Sequence, residues 1–528
     1  MKITCVLLFL LPFLCFPDVV EAQVLNDYIP FYRTGTSYLS DSAPSTVSKS
    51  VKKDENGNYF FLMQDDCDDT YLGGFFPECI EWEQEVQEWR SLYLVKVTPD
   101  LKVDTFANLK GVSSFYTDLT VCQNRVFVSY SNHGRFKDSL LIVGDTLLIL
   151  NEGGVLEFDE QLNFKRVFID LDKEIENIAC KDSVLYVQSN LRDNRNRIEH
   201  FTVIYGDTLW NFFDRDGIPA DKAPFILSYN LNKDSIETYW IFGSDGDSYI
   251  YDMATDQTGN LIITFDAGWA EWFCFNGVDT IRTGQYYGDY FLKYKPNGDL
   301  VFAKEQPFTF SRIRVVEDGF FVQIRVPSDF GWINLYGDTI FGCFEPTLPA
   351  GILTILIKYD SNGDFMWYYL MGGCSQAAEL EGFDEKSGIV SCTYDISGAD
   401  FELQGQQYTN TGKSIALVNL DGQSGKVIGH LVKETDHAHF TGGFFEIVEK
   451  DRYRSLFFLN KVDNFFGMPL GDISKGITYF ADFNLDLFTK TNDKVQDEIS
   501  LSVYPSPTNS TLHFQYPIDL YAPLQIQL

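Results

Sequence analysis

The stretch Ile355-Leu356-Ile357-Lys358-Tyr359-Asp360-Ser361-Asn362-Gly363-Asp364-Phe365-Met366-Trp367 reads as a β-hairpin. Two apolar, β-branched and aromatic runs flank Asp-Ser-Asn-Gly, whose Asn and Gly tolerate the positive φ that a tight turn demands. Weaker copies recur at Lys96, Glu157, Tyr229, Lys293, Val418 and Asp482, at intervals of 61, 72, 64, 65, 60 and 64 residues when Lys358 is included. A second hairpin signal precedes each copy: Asn56-Gly57, Asn124, Asp182, Gly259-Asn260, Asp318-Gly319, Ser387-Gly388 and Asp451. Two hairpins per period make four strands per period. A third, patchier signal lies between the two, in Gly144-Asp145-Thr146, Gly206-Asp207-Thr208, Val278-Asp279-Thr280 and Gly337-Asp338-Thr339.

Seven four-stranded units predict an all-β chain folded as a seven-bladed β-propeller over residues 23–493, each unit burying its apolar faces against its neighbours. An open array of the same hairpins would leave the strand edges of its first and last units unprotected. The surplus length of each unit lies mostly in the loop that carries the Gly-Asp-Thr signal.

Gly259-Asn260-Leu261-Ile262-Ile263-Thr264, then Phe275 to Thr280, then Asp289 to Phe302 through Lys293-Tyr294-Lys295-Pro296-Asn297-Gly298, is similar to the β-propeller repeats of secreted and surface proteins of Bacteroidota. The fourth and fifth units match best, whereas Glu157 replaces Lys in the second unit and Asn419 replaces Tyr in the sixth. The resemblance implies a fold and an exported life rather than a reaction.

Residues 1–22 read as a secretory signal peptide: Met1-Lys2, an apolar run from Val6 to Phe16, and the small-residue end Val20-Glu21-Ala22 before Gln23. The run is too short to span a membrane, and Pro12-Phe13-Leu14 before Cys15 do not suit a lipid anchor. Removing Lys2, Asp18 and Glu21 leaves 40 basic against 73 acidic residues. That balance argues against nucleic acid and anionic membranes as partners. The carboxylates spread over all seven units, which suits solubility more than a dedicated cation site.

Eight cysteines remain after processing: Cys67, Cys79, Cys122, Cys180, Cys274, Cys343, Cys374 and Cys392. Export permits disulfides. Cys67 and Cys79 bracket the inserted loop Asp68 to Glu78 and are the best expected bridge. Cys122 and Cys180 occupy equivalent positions in successive units, which predicts two buried side chains rather than a bond, since equivalent positions in adjacent blades are expected beyond the ~7 Å Cα limit.

Several segments invite a functional reading. Asp65-Asp66-Cys67-Asp68-Asp69 with Glu81-Trp82-Glu83 and Glu88-Trp89, and Trp269-Ala270-Glu271-Trp272, combine acids with tryptophans that could hold a cation or stack on a sugar. A solvated, disulfide-pinned insertion and ordinary blade packing explain them as well. Asp214-Arg215-Asp216-Gly217 and Ser244-Asp245-Gly246-Asp247-Ser248 lack the further spaced oxygens of a calcium loop. His437-Ala438-His439 has no partner spaced to complete a zinc site. Signatures of acyl transfer, zinc proteolysis, phosphate cradling and dinucleotide binding do not occur in the sequence. No catalytic, cofactor-binding or metal-ligating residue is therefore assigned.

From about Lys494 the chain becomes a polar linker, and Ile499-Ser500-Leu501-Ser502-Val503-Tyr504-Pro505-Ser506-Pro507 resembles the opening of the C-terminal sorting domain read by the type IX secretion system of Bacteroidota. Ser506 stands where that family has Asn, and residues 494–528 make only the start of its β-sandwich. The resemblance implies the type IX machinery as a partner and the outer cell surface or the medium as a destination.

Two functions remain open: a non-catalytic propeller that binds a glycan or a protein through loops at one end of the ring, and an exported polymer-degrading hydrolase with a carboxylate-lined central channel. The sequence also predicts how the ring closes. An apolar segment between Gln23 and Ser50, centred on Tyr28-Ile29-Pro30-Phe31-Tyr32, should pair with strands in the region Phe445 to Phe488.

Overall fold

The computed structural model describes the strands, the tight turns and parts of the longer connections between residues 23 and 485. Residues 1–22, 34–49, 72–90 and 486–528, and stretches of the other long connections, lie outside the described residues. The described residues contain strands, bends and turns and no helix.

Seven four-stranded antiparallel blades form the ring. Blade 1 runs outward from Ser50–Lys53 through Tyr59–Asp65 and Ser91–Val97 to Val103–Lys110. Blade 2 is Leu119–Cys122, Arg125–Ser131, Gly153–Asp159 and Phe164–Leu171, and blade 3 is Ile175–Lys181, Val184–Asn190, Pro224–Asn230 and Ser235–Ser244. Blade 4 is Tyr249–Thr255, Leu261–Asp266, Asp289–Tyr294 and Leu300–Gln306. Blade 5 is Ile313–Val316, Gly319–Pro327, Ile352–Asp360 and Phe365–Leu370, and blade 6 is Gln376–Lys386, Ile389–Gly398, Lys413–Asp421 and Val427–Glu434. Blade 7 combines Ala438–Glu449, Arg452–Leu459 and Ile477–Leu485 with Gln23–Arg33 from the other end of the chain.

That last pairing is the expected closure. Gln23 lies opposite Leu485 and Tyr32 opposite Ile477, with one bulge between Leu25 and Asp27, so backbone hydrogen bonds seal the ring.

The turns show why the repeat is legible. In the hairpin that ends Ile352–Asp360, Gly363 takes φ 76°. The Asp360 carboxylate accepts the backbone N–H groups of Asn362 and Asp364 at 2.9 and 2.8 Å. Aspartate therefore organises the turn and glycine alone supplies the left-handed residue, with Asn362 in ordinary backbone space. Leu101 and Leu162 hold the same left-handed place in blades 1 and 2, where both side chains are buried.

Apolar side chains fill the seams between blades. One cluster joins Phe127 and Val155 of blade 2 to Leu185, Val187 and Phe225 of blade 3, and another joins Phe321 and Leu356 of blade 5 to Leu380, Val390 and Val418 of blade 6. Burial of this kind supplies the main drive for stacking blades.

Polar ties cross the same seams at one repeat position, third strand, two residues before the turn. Lys293 pairs with Asp256 at 2.9 Å and donates to the Ser361 carbonyl of the next blade at 3.0 Å. Lys358 reaches Asp318, Glu385 and the Gly422 carbonyl. In blades 3 and 6 the strand register puts Ser228 and Asn419 at this position, facing Tyr186 and Ser391. Alignment on Tyr229 and Val418 is thus displaced by one residue, because it follows apolar character rather than the polar side chain at this register position. Asp482 in blade 7 reverses the polarity, binding Arg452 and Arg454, and Arg454 donates across the seam to the Tyr59 hydroxyl and the Pro99 carbonyl.

Cys122 and Cys180 form a disulfide, contrary to the expectation of two free side chains. Their Cα atoms are 6.1 Å apart. Cys122 faces Arg125 at the last pair before its turn, whereas Cys180 faces Leu185, one step earlier in its own strand. This one-residue stagger, on inner strands that converge toward the axis, brings the positions within disulfide reach. Cys67 and Cys79 lie outside the described residues.

Candidate functional site

Alternating strand direction puts the first-to-second turn of every blade, and the third-to-fourth turn of blades 1 to 6, on one face of the ring. That face is built from short turns such as 54–58, 123–124, 182–183, 361–364 and 387–388. The second-to-third connections emerge on the opposite face and are long in every blade: 66–90, 132–152, 191–223, 267–288, 328–351, 399–412 and 460–476. Six of them contain a two-stranded hairpin among the described residues. These are Ser139–Val143 with Thr146–Leu150, Phe201–Ile204 with Asp207–Trp210, Trp272–Phe275 with Asp279–Arg282, Trp332–Leu335 with Asp338–Phe341, Phe401–Leu403 with Gln406–Tyr408, and Asn464–Phe465 with Met468–Pro469.

The Gly-Asp-Thr signal marks the first four of these hairpins, with its Asp or Thr opening the returning strand. In the last two, Gln404-Gly405 and Phe466-Gly467 separate the strands in sequence, a glycine signal that the Asp-Thr pattern passes over. Two hairpins dock on the outer strand of the preceding blade, Val143 facing Leu109 and Phe275 facing Phe242. These two insertions thus extend the blade sheets, while the other four hairpins form two-stranded sheets of their own.

Polar groups gather at the insertion-face ends of blades 3 and 4. Glu176 accepts hydrogen bonds from the Gln188 and Asn190 carboxamides at 2.7 and 2.5 Å. In blade 4, Asp266 lies directly opposite Asp289, a like-charge pair that costs stability in a sheet. The Tyr251 hydroxyl donates to Asp266 at 3.0 Å, and burial together with that carboxylate pushes its pKa up. Tyr249 and Tyr251 stack with ring centroids 6.1 Å apart, and both are half-buried. Carboxylates and carboxamides beside a partly open aromatic pair can accept hydroxyl or ammonium donors while an apolar ring face rests on tyrosine.

The inner strands present a different set of acids. Asp118 accepts the N–H groups of Leu119 and, across the seam, Ile178, at 2.7 and 3.2 Å. Asp252 does the same with Met253 and Ile313, both at 2.8 Å. Asp384 accepts from Ile447 at 2.8 Å and pairs with Arg314 at 2.7 Å. Blades 2, 4 and 6 thus each cap the inner strand of the next blade. Burial raises the Asp252 carboxyl to about 6 against the pull of its N–H donors and Lys52, and Asp118 adds to the rise.

The tryptophan segments, Asp214 to Gly217, and His437 lie wholly or mostly outside the described residues, and of Ser244 to Ser248 only the two end residues are described. Among the described residues no group of three or more His, Cys, Asp or Glu side chains could hold a metal ion. Also among the described residues, no helix is long and apolar enough to cross a membrane.

No family model matches the chain, and no curated protein matches it. Among solved structures, the polysaccharide lyase Uly1 is similar over 88% of this chain and 99% of its own, at 10% identity and a TM-score of 0.40. Dipeptidyl peptidase 4 of Porphyromonas gingivalis is similar over 82% of this chain and 68% of its own, at 10% identity and a TM-score of 0.33. A subtype N10 neuraminidase-like protein of A/little yellow-shouldered bat/Guatemala/060/2010 covers 71% of this chain at 9% identity and a TM-score of 0.30. Likenesses of this degree carry no argument about what this chain binds or does.

Proposed function

We propose that this is an exported, non-catalytic propeller that binds a glycan or a protein on its insertion face. The observation that carries the reading is the asymmetry of the ring: long second-to-third connections on one face in all seven blades, short turns on the other. Loops held by a rigid scaffold are where binding function concentrates. The polar and tyrosine-bearing ends of blades 3 and 4 open on the same face. A glycan is the favoured ligand, since stacked tyrosines flanked by carboxylates and carboxamides suit sugar rings and their hydroxyls.

Export rests on the amino-terminal signal and on the Cys122–Cys180 disulfide, which belongs to an oxidising compartment. Delivery by the type IX machinery rests on the resemblance of residues 499–507 to a sorting domain.

The second reading, a hydrolase with a carboxylate-lined channel, draws on Asp252, whose proton is retained to about pH 6. A proton held so near neutrality is what a general acid needs. Against it, both oxygens of Asp118 and Asp252 already accept backbone N–H groups.

Affinity electrophoresis of the secreted protein through gels containing neutral, amino and uronic-acid polysaccharides separates the readings when each gel is also assayed for released reducing ends. Retardation without release is the expected result. Release of oligosaccharide would overturn the non-catalytic assignment. Failure of every polysaccharide to retard the protein would exclude the glycan and leave a protein ligand.

A further inference from the structure

The seam between blades 5 and 6 contains four buried polar side chains whose hydrogen-bonding capacity is unmet: Gln323, Thr354, Tyr369 and Tyr394, with exposures of 2%, 0%, 9% and 0%. Gln323 Oε1, Thr354 Oγ1 and the two phenolic oxygens have no partner among the described residues. They are neighbours. On blade 5, Leu356 faces Gln323 on one side and Tyr369 on the other, and Thr354 is two residues along the same strand, hence on the same face. On blade 6, Tyr394 lies opposite Leu380. Gln323 Nε2 crosses the seam to the Leu380 carbonyl at 2.8 Å, and the rings of Tyr369 and Tyr394 approach to 6.3 Å.

The Gln323 amide has one orientation here, because turning it over would set Oε1 against the Leu380 carbonyl. Its oxygen therefore needs a donor from elsewhere. Cys392 is buried two residues along the strand from Tyr394, hence on the same face. A thiol is a weak partner and leaves the phenols unsatisfied. Unmade hydrogen bonds in a buried site each cost a marginally stable domain a sizeable part of its margin. Four in one place call for a shared guest that both donates and accepts.

We propose that the seam between blades 5 and 6 houses an internal hydration site, in which ordered water bridges Gln323, Thr354, Tyr369 and Tyr394. Water matches the requirement: it donates to Gln323 Oε1 and exchanges donor and acceptor roles with the three hydroxyls. Buried waters make about three such bonds each, and polar walls hold them where apolar cavities stay dry. The site lies on the insertion-face side of Lys358 in the same seam, so blades 5 and 6 are joined by an ion pair near the turns and by water above it.

The test uses the full secreted chain and the variants Tyr369→Phe, Tyr394→Phe and the double variant, with crystal structures of wild type and Tyr394→Phe at a resolution that places water. Wild-type density should show water within hydrogen-bond distance of both phenolic oxygens, with at least one site lost in Tyr394→Phe. Each single variant should lower the folding equilibrium constant about fivefold, and the double variant should lose less than the product, because the two hydroxyls share waters. A dry seam, or phenylalanine variants as stable as wild type, would overturn the proposal. Density for a guest larger than water would overturn the assignment of water.

Discussion

Lys358 on the third strand of blade 5 and Glu385 on the first strand of blade 6 form an ion pair at 2.9 Å in which the lysine side chain is fully buried. The ammonium also donates to the Gly422 carbonyl at 3.0 Å and pairs with Asp318, so every proton has an acceptor. A buried charge this completely served holds the next blade in register.

Breaking that tie from one side should be costly. Lys358→Met leaves Glu385 buried without its cation and is expected to destabilise the protein by about 3–5 kcal/mol. Adding Glu385→Gln should recover a large part of the loss, because the carboxylate then left without its cation is Asp318, whose side chain is 42% exposed, and not the buried Glu385. Denaturant unfolding of the two single variants and the double variant checks this. Additive losses would show that the pair is not coupled.

Asp252 should give the ring a pH dependence of unusual sign. Its carboxyl is held at about 6 in the fold against an ordinary value of 3.8, so the folded chain binds a proton that the unfolded chain releases. Its contribution is fully present below pH 4 and is lost as pH rises through 6. Asp252→Asn removes the titration and one of two acceptor oxygens. The variant should be less stable than wild type at pH 4 and should recover by about 1–3 kcal/mol relative to it at pH 7. Melting curves at the two pH values measure the change, and a constant difference would contradict the raised carboxyl.

The Cys122–Cys180 bridge closes a separation of 58 residues. In the chain-entropy account, losing such a loop constraint costs about 4 kcal/mol. Cys122→Ser with Cys180→Ser should therefore lower stability strongly, and non-reduced peptide mapping should recover the two cysteines in one linked fragment. Free thiols at both positions would remove the covalent tie between blades 2 and 3.

The architecture is legible in the sequence because its signals are local. Gly57, Gly259, Gly298 and Gly363 all adopt positive φ, and each sits in a turn that the sequence alone marks. The ties between blades are not local. Asp118, Asp252 and Asp384 look like stray acids in apolar strands, since their backbone partners lie 60 to 63 residues ahead. The Cys122–Cys180 bond escapes for a related reason: equivalence between units says nothing of a one-residue stagger between strands that meet near an axis. The polar ends of blades 3 and 4 were missed too. Glu176, Gln188, Asn190, Asp266 and Asp289 are scattered along the chain and converge only once strands pair.

The amino-terminal strand seals the ring, and truncating either end of the chain measures what that seal contributes. Thermal melting of the chain from Gln23 to Leu528 should be compared with a form lacking residues 23–42 and a form lacking residues 494–528. Removing 23–42 deletes the strand that pairs with Ile477–Leu485. It exposes the edge of blade 7 and should lower the melting temperature by far more than removing the carboxy-terminal segment, which this account treats as an appendage. Equal shifts from the two truncations would contradict the closure.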